Sequence, residues 1–424
     1  MIQESAQVVV AGSGFAGLWV CRGLARSDFD VRLIDRDNYH TFLPLLYQVA
    51  AAELEPEAIA FPLRHVLRRD PRVSFLMAEL DAVNLGEHAV STSRGAVSYE
   101  YLVLALGSVT SYFGVPGAEE FAFPLKTVDQ GIALRNHILR CFELADLERE
   151  EAKSRQLLTF AIIGGGPTGV EFAGALIELV RGPIGRDYRR IDPPSEVRVL
   201  LLQAVPHLLP GLPRTLQEYT LKRLRRMGVE VRLGSPVTRV SGEDLQLEDG
   251  TLIPTRTAVW TAGVQGAPVG EEPHLPLSPD RRILVSPTLQ VPGHPNVYAV
   301  GDLARLDQDG QALPLTAPVA IQQAAAAAKN IQRQHAGLDP LPFHYRDRGT
   351  MVTIGRNKAV ATPFGRSFKG LPAWLLWLGF HLVKLIGFRN RVLVLLNWAW
   401  DYVFLERAVR LILPREANES TNRR

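Results

Sequence analysis

Cysteine is nearly absent. Cys21 and Cys141 are the only two in 424 residues, and neither belongs to a CxxC or CxxxxC pair. Paired spacing of that kind marks thiolate metal sites and dithiol redox centres, so neither is expected. Cys21 falls in a helix-like stretch, where a small buried thiol is the natural role. An excess of one charge is also missing: 47 basic and 44 acidic residues leave +3. Nothing in that balance requires nucleic acid, and the basic clusters "KRLRR" (222–226) and "RNR" (389–391) are local. No basic-then-apolar leader precedes the first strand-like segment, which leads us to expect a cytoplasmic start. Nor does any stretch supply the roughly 20 nearly uncharged apolar residues of a spanning helix. The richest segment, 371–413, is broken by His381, Lys384, Asn397, Asp401, Glu406 and Arg407. With 46% apolar and 21% charged residues the chain is globular, and its length predicts two or three domains.

Glycine sits where it does chemistry. "QVVVA" (7–11) reads as a strand, 15–26 as a helix and "VRLID" (31–35) as a strand, with Gly12, Gly14 and Gly17 at the turn. GxGxxG between strand and helix gives a tight turn, close backbone approach to a pyrophosphate and close helix packing. The phosphate then rests on free N–H groups at the helix N-terminus. Asp35 follows Gly12 by 23 residues, where a carboxylate takes ribose hydroxyls. Phe15, Ala16 and Arg36 flank these positions. "YLVLALGS" (101–108) is a further buried strand that turns at Gly107.

The device recurs. "LLTFAIIGG" (157–165), a helix from Thr168, and "VRVLLLQ" (197–203) repeat the order, with Gly164, Gly166 and Gly169 as the loop. Two such units suggest an internal duplication. "TAVWTAGV" (257–264), turning at Gly263, resembles "YLVLALGS" in kind. Gln203 ends the strand where a carboxylate is usual; it can bond a ribose without repelling a 2′-phosphate, unless the insertion "RGPIGRDYRRIDPPSE" (181–196), read as a surface loop, shifts the strand end. Two dinucleotide sites imply hydride transfer between dinucleotides, most simply nicotinamide to flavin. "VYAVGDLA" (297–304) assigns FAD to the first, because Gly301 and Asp302 at a strand end fit the flavin's ribityl and pyrophosphate; a helix N-cap would be the plainer role for Asp302 alone, but not beside two cradles. The alanine run in "APVAIQQAAAAAKNIQ" (317–332) indicates close helix packing.

At this point the chain resembles the type II NADH dehydrogenases, single-subunit flavoproteins with two dinucleotide-binding domains. The segments that carry the resemblance are "AGSGFAGL", "DRDNYHTFLPLLYQVA", "IIGGGPTGVEFAGAL", "WTAGV", "YAVGDLA", "APVAIQQ" and "MVTIGRNKAVA". The resemblance implies an α/β fold with two Rossmann-like domains in a glutathione-reductase-like arrangement and a C-terminal membrane-associating helical segment. The corresponding boundaries are 1–125 and 266–335 for FAD, 126–265 for NAD(P)H, and 336–424 for a C-terminal domain. It also implies FAD, NADH as donor with NADPH not barred, and a membrane quinone as acceptor. Glu171 matches the family's acid beside the nicotinamide, where it would orient the ring or relay a proton; a first-turn acid complementing the helix dipole is the alternative. Gln322 matches the second glutamine of the family's quinone motif; Pro318 replaces the first, Ala324 replaces a glycine, and Gln48 is the candidate substitute. Tyr47 with Leu45 and Leu46 would line an apolar quinone route or serve as core.

Four of the six tryptophans lie in 371–413. With Arg389 and Arg391 between two apolar stretches, 372–388 and 391–413, the pattern predicts amphipathic helices lying in the headgroup region, or a dimer interface, or both. The expectation is a non-pumping, peripheral enzyme on the cytoplasmic side of the cell membrane, a homodimer in the respiratory chain. Sulfide:quinone oxidoreductase is a rival, but it needs paired cysteines. A non-catalytic, membrane-docked FAD/NAD(P)H sensor is a rival of another class.

Overall fold

The computed structural model describes residues 4–269, 275–404 and 410–412. The elements used below are, in chain order, β1 (Glu4–Ala11), α1 (Phe15–Leu24), β2 (Val31–Asp35), α2 (Leu46–Ala50), β3 (Gly95–Leu104), β4 (Thr159–Ile163), α3 (Pro167–Leu179) and β5 (Arg198–Gln203). They continue with β6 (Thr257–Trp260), β7 (His294–Ala299), α4 (Ala317–His335), β8 (Met351–Thr353), α5 (Leu371–Lys384) and α6 (Phe388–Phe404). The described residues form two compact units interleaved in sequence, one from 1–41, 60–111 and 264–348, the other from 42–59, 112–263 and 349–424.

In the first unit β1 lies between β2 and β3, all parallel, with β7 parallel on the far side of β3. Both faces of this sheet are covered, so Val8, Val9, Val10 and Ala11 form an unbroken apolar run without alternation, and all four are wholly buried. The alanines of α4 let it approach α1 closely: a Cβ at Gly23 would stand 2.8 Å from that of Ala328. Ala324, Ala327 and Ala328 are buried. The expected close packing is what the structure contains.

The second unit holds a parallel sheet in the order Ala122–Pro124, β6, β4, β5, Glu230–Leu233. The same logic gives Thr159–Ile163 five buried residues in succession. The insertion after α3 is not the expected surface loop. It winds through helical turns, Val180–Ile184, Gly185–Asp187 and Pro193–Glu196, and buries Pro183 and Ile184. Composition suggested a loop because proline and glycine dominate it, but proline fits the first turn of a helix, as at Pro193, and the buried Ile184 and Ile191 anchor the segment.

The C-terminal part of this unit is a three-stranded antiparallel sheet, β8 with Ala359–Ala361 and Phe368–Gly370, followed by α5 and α6. Gly387, at φ +84°, turns the chain between the two helices. Each helix leaves large apolar side chains in solvent, among them Leu375, Val383 and Leu396. The expected second helix is described over Phe388–Phe404; 410–412 are not helical, and 405–409 and 413 lie outside the described residues. Among the described residues no helix is long and apolar enough to cross a membrane.

Candidate active site

The two glycine loops share one geometry, each inside its own unit. Gly12 and Gly164 adopt φ +100° and +113°, open to glycine and strained for any other residue. A Cβ at Gly17 would run into the Gly12 carbonyl oxygen, and one at Gly169 into that of Gly164. At Gly14 and Gly166 a Cβ would meet nothing within 4 Å. These two residues are the N-caps of α1 and α3, and neither offers a side-chain cap to the first turn. Cradles with these properties fit pyrophosphates.

The strand ends correspond as well. Asp35 Oδ2 accepts the Ser13 N–H at 2.6 Å, and Gln203 Oε1 accepts the Gly165 N–H at 2.8 Å. The insertion therefore does not displace the strand end. Phe15 and Ala16 begin α1; Arg36 is exposed, 3.8 Å from Asp37; and Thr168 is exposed in the first turn of α3. Gly107 follows β3, and Gly263 lies against the Phe113 ring.

Three residues that sequence reasoning missed brace these loops. Gln323, 1% exposed, accepts the Gly301 N–H at 2.7 Å, and Ser108 donates to Asp302 Oδ2 at 2.6 Å. Thr261 Oγ1 donates to the carbonyls of Ile163 and Gly164. Helical spacing would have found Gln323, which shares the buried stripe of α4 with Val319 and Ala327. Gln322 does not share it: half-buried, it donates to the Arg346 carbonyl and accepts that residue's N–H. Asp302 is not a helix N-cap, since its carboxylate takes the Ser108 proton.

Glu171 is the fifth residue of α3, in its second turn and 9% exposed, so the first-turn dipole role does not apply. Burial pushes its carboxyl up to about 8; hydrogen bonds from the Thr353 N–H and hydroxyl pull it back, and the Glu53 charge adds to the rise. Thr353 N and Oγ1 reach Glu171 Oε1 at 3.2 and 3.4 Å. The Trp377 indole N–H is near enough to favour the ionised form but falls short of a full hydrogen bond. Tyr47 Oη meets Thr353 Oγ1 at 2.9 Å; Gln48 Nε2 donates to Tyr47 Oη at 3.2 Å; and Trp398 Nε1 donates to Gln48 Oε1 at 3.0 Å. Tyr47 and Gln48, on α2, are both buried. They border a cavity of about 80 Å³ that Glu171 shares with Trp374, Trp377 and Trp398 of α5 and α6.

Burial pushes the Cys21 thiol up to about 12 and that of Cys141 to about 11, so both are inert at neutral pH. Among the described residues no cluster of His, Cys, Asp or Glu could hold a metal ion.

The chain matches the family model "Pyridine nucleotide-disulphide oxidoreductase" over residues 6–324. It is 38% identical over 426 residues to the "Type II NADH:quinone oxidoreductase Ndh" of Mycobacterium tuberculosis, covering 97% of this chain and 91% of that protein. To the "Type II NADH:quinone oxidoreductase NdhA" of the same organism it is 40% identical over 419 residues, covering 95% and 88%. The structure of NDH2 from Plasmodium falciparum in complex with NADH superposes with a TM-score of 0.86 over 96% of this chain and 100% of that one. Its 18% identity makes that a likeness of fold alone.

Proposed function

The chain belongs to the type II NADH:quinone oxidoreductases within the pyridine nucleotide-disulphide oxidoreductase family, and from that premise we propose that it oxidises NADH, through FAD, at the expense of a membrane quinone. Gly12, Gly14, Gly17, Asp35, Gly301 and Asp302 hold FAD in this reading, and Gly164, Gly166, Gly169 and Gln203 hold the nicotinamide nucleotide. Bound FAD would supply the two-electron carrier between donor and acceptor. The chain's own work is to bind, to orient and to handle protons.

Glu171 is the proton-handling group. A carboxyl near 8 populates both protonation states around neutral pH, so it can take or give the proton that accompanies electron transfer. Gln48, in the same cavity, offers an amide to a quinone carbonyl. The observation that carries the quinone assignment is that the Glu171 cavity is walled by tryptophans of α5 and α6, the two helices whose other faces leave leucines and valines in solvent. An element suited to a lipid surface thus borders the buried acid, as a lipid-soluble acceptor requires. The protein would sit peripherally on the cytoplasmic face of the cell membrane without pumping protons, and its exposed apolar rows would also serve a homodimer.

Anaerobic titration of FAD-loaded protein tests this. NADH should bleach the flavin absorbance, and a short-chain quinone should restore it. Bleaching without restoration leaves a dehydrogenase with another acceptor, and no bleaching ends the proposal.

A further inference from the structure

Four hydrogen bonds connect the Glu171 carboxylate to the tail, through Thr353, Tyr47 and Gln48 to Trp398. Their direction follows from the chemistry of one end. An indole N–H only donates, so Trp398 can hold only the carbonyl oxygen of Gln48. The amide is then pinned with Nε2 toward Tyr47. The Tyr47 oxygen must accept, which leaves its own proton for Thr353, and Thr353 passes its proton to Glu171. All four donors point the same way, each strengthening the next, and the series ends on a carboxylate that accepts fully only when ionised. A protonated Glu171 can carry its proton on Oε2 and still accept from Thr353 at Oε1, but that neutral oxygen is the weaker acceptor, and because the pinned amide offers Tyr47 no acceptor the series cannot reverse to take a proton from Glu171 instead.

We propose that Trp398 is a positioning residue for Glu171: as the donor-only end of this chain it fixes the direction of all four hydrogen bonds and so favours the ionised carboxylate from the tail helix. The link to turnover rests on the reading of Glu171 as the proton-handling group. Trp398 is 350 residues from Gln48 in sequence, and it is held in place by packing on the Trp377 ring at 5.6 Å between centroids. The same helix is tied down by Asn390, which donates to the Glu57 and Ala58 carbonyls.

Other charges around Glu171 act independently of this chain. Among the described residues lining the cavity they are Glu53 beside α2, Glu178 two turns further along α3, and Arg356 after β8, whose N–H Glu178 accepts. The helix Arg214–Met227, also packed against α3, contributes none to the lining. His381 on α5 stacks on Trp377 at 4.3 Å, and burial keeps it neutral.

The test is an infrared titration of the full-length, FAD-loaded protein in detergent, following the carboxylic-acid C=O band that E171Q removes. W398F keeps a ring to pack on Trp377 but has no donor, and its band midpoint should rise by about one pH unit. Y47F interrupts the series from the opposite side and should also raise the midpoint. The double variant W398F/Y47F should coincide with Y47F, because Trp398 acts only through Tyr47. Q48L, which leaves the tail untouched, should match W398F even if W398F loosens α6. A W398F or Q48L midpoint equal to wild type, or additive shifts in the double variant, would overturn the proposal. The pH–rate profile of NADH:quinone turnover separates the two readings. A band midpoint that moves while the rate profile stays fixed leaves Trp398 in its role and removes Glu171 from turnover.

Discussion

Gln203 accepts the Gly165 N–H as Asp35 accepts the Ser13 N–H, so the two side chains brace equivalent loops and differ in charge. If these strand ends face the ribose as proposed, Asp35 would present a carboxylate toward a 2′-phosphate and Gln203 an amide. Gln203→Glu keeps the chain length and the acceptor while adding the repulsion. We expect the ratio of kcat/KM for NADPH to that for NADH to fall roughly tenfold in this variant. Steady-state kinetics with both donors decide it, and an unchanged ratio would mean that the ribose is read elsewhere. Glu171→Gln removes a titrating group without changing shape. Quinone-dependent turnover should fall at least about tenfold while FAD content stays at the wild-type level. Stopped-flow flavin reduction and steady-state rates identical to wild type would eliminate the role.

At the scale of elements, the legible parts are those governed by neighbours in sequence. Strands buried on both faces show as runs such as "VVVA" and "FAII", and the loops between strand and helix show as glycines because only glycine fits there. The residues around Glu171 obey no local rule. Thr353 lies 182 positions from Glu171 and 306 from Tyr47, so no periodicity or spacing links them. Gln48 stood out only through a family resemblance, and its partner Trp398 read as one more membrane-facing aromatic. His381 and Lys384 read as interruptions of an apolar stripe, yet His381 is 8% exposed and neutral, its Nδ1 held by the Trp377 carbonyl. The outward faces of α5 and α6 are simpler. Leu375 and Leu396 are 54% and 58% exposed, and burying such a side chain in lipid stabilises binding by about 1.5–3 kcal/mol. The double substitution Leu375→Glu/Leu396→Glu should therefore weaken binding to anionic vesicles at least about tenfold, while flavin bleaching by NADH persists. Co-sedimentation with vesicles measures the first, and undiminished binding would remove these faces from the membrane contact.

For the molecule as a whole, the buried titrating groups oppose one another across the pH scale. Burial pushes His40, His381 and His137 down to about 4, with the Arg140 charge adding to the effect at His137. Each is neutral when folded and protonated below about 6.5 when unfolded, so stability is lost as pH falls from about 6.5 toward 4. Glu171 works the other way. Its folded value of about 8 lies above its unfolded one, so its contribution is complete below about 4.5 and is lost as pH rises toward 8. Between pH 4.5 and 6.5 three histidines outweigh one glutamate and stability climbs; above 6.5 the glutamate alone remains and stability declines. The thermal unfolding midpoint should therefore peak near pH 6.5, with a steep acid side and a shallow alkaline side. Glu171→Gln should flatten the alkaline side and steepen the acid side, where its carboxyl no longer opposes the histidines, whereas His381→Gln should reduce the acid slope alone. Unfolding scans of the three proteins from pH 4.5 to 8.5 check this, and an alkaline decline that survives in Glu171→Gln would show that the buried carboxyl is already ionised in the folded chain at neutral pH.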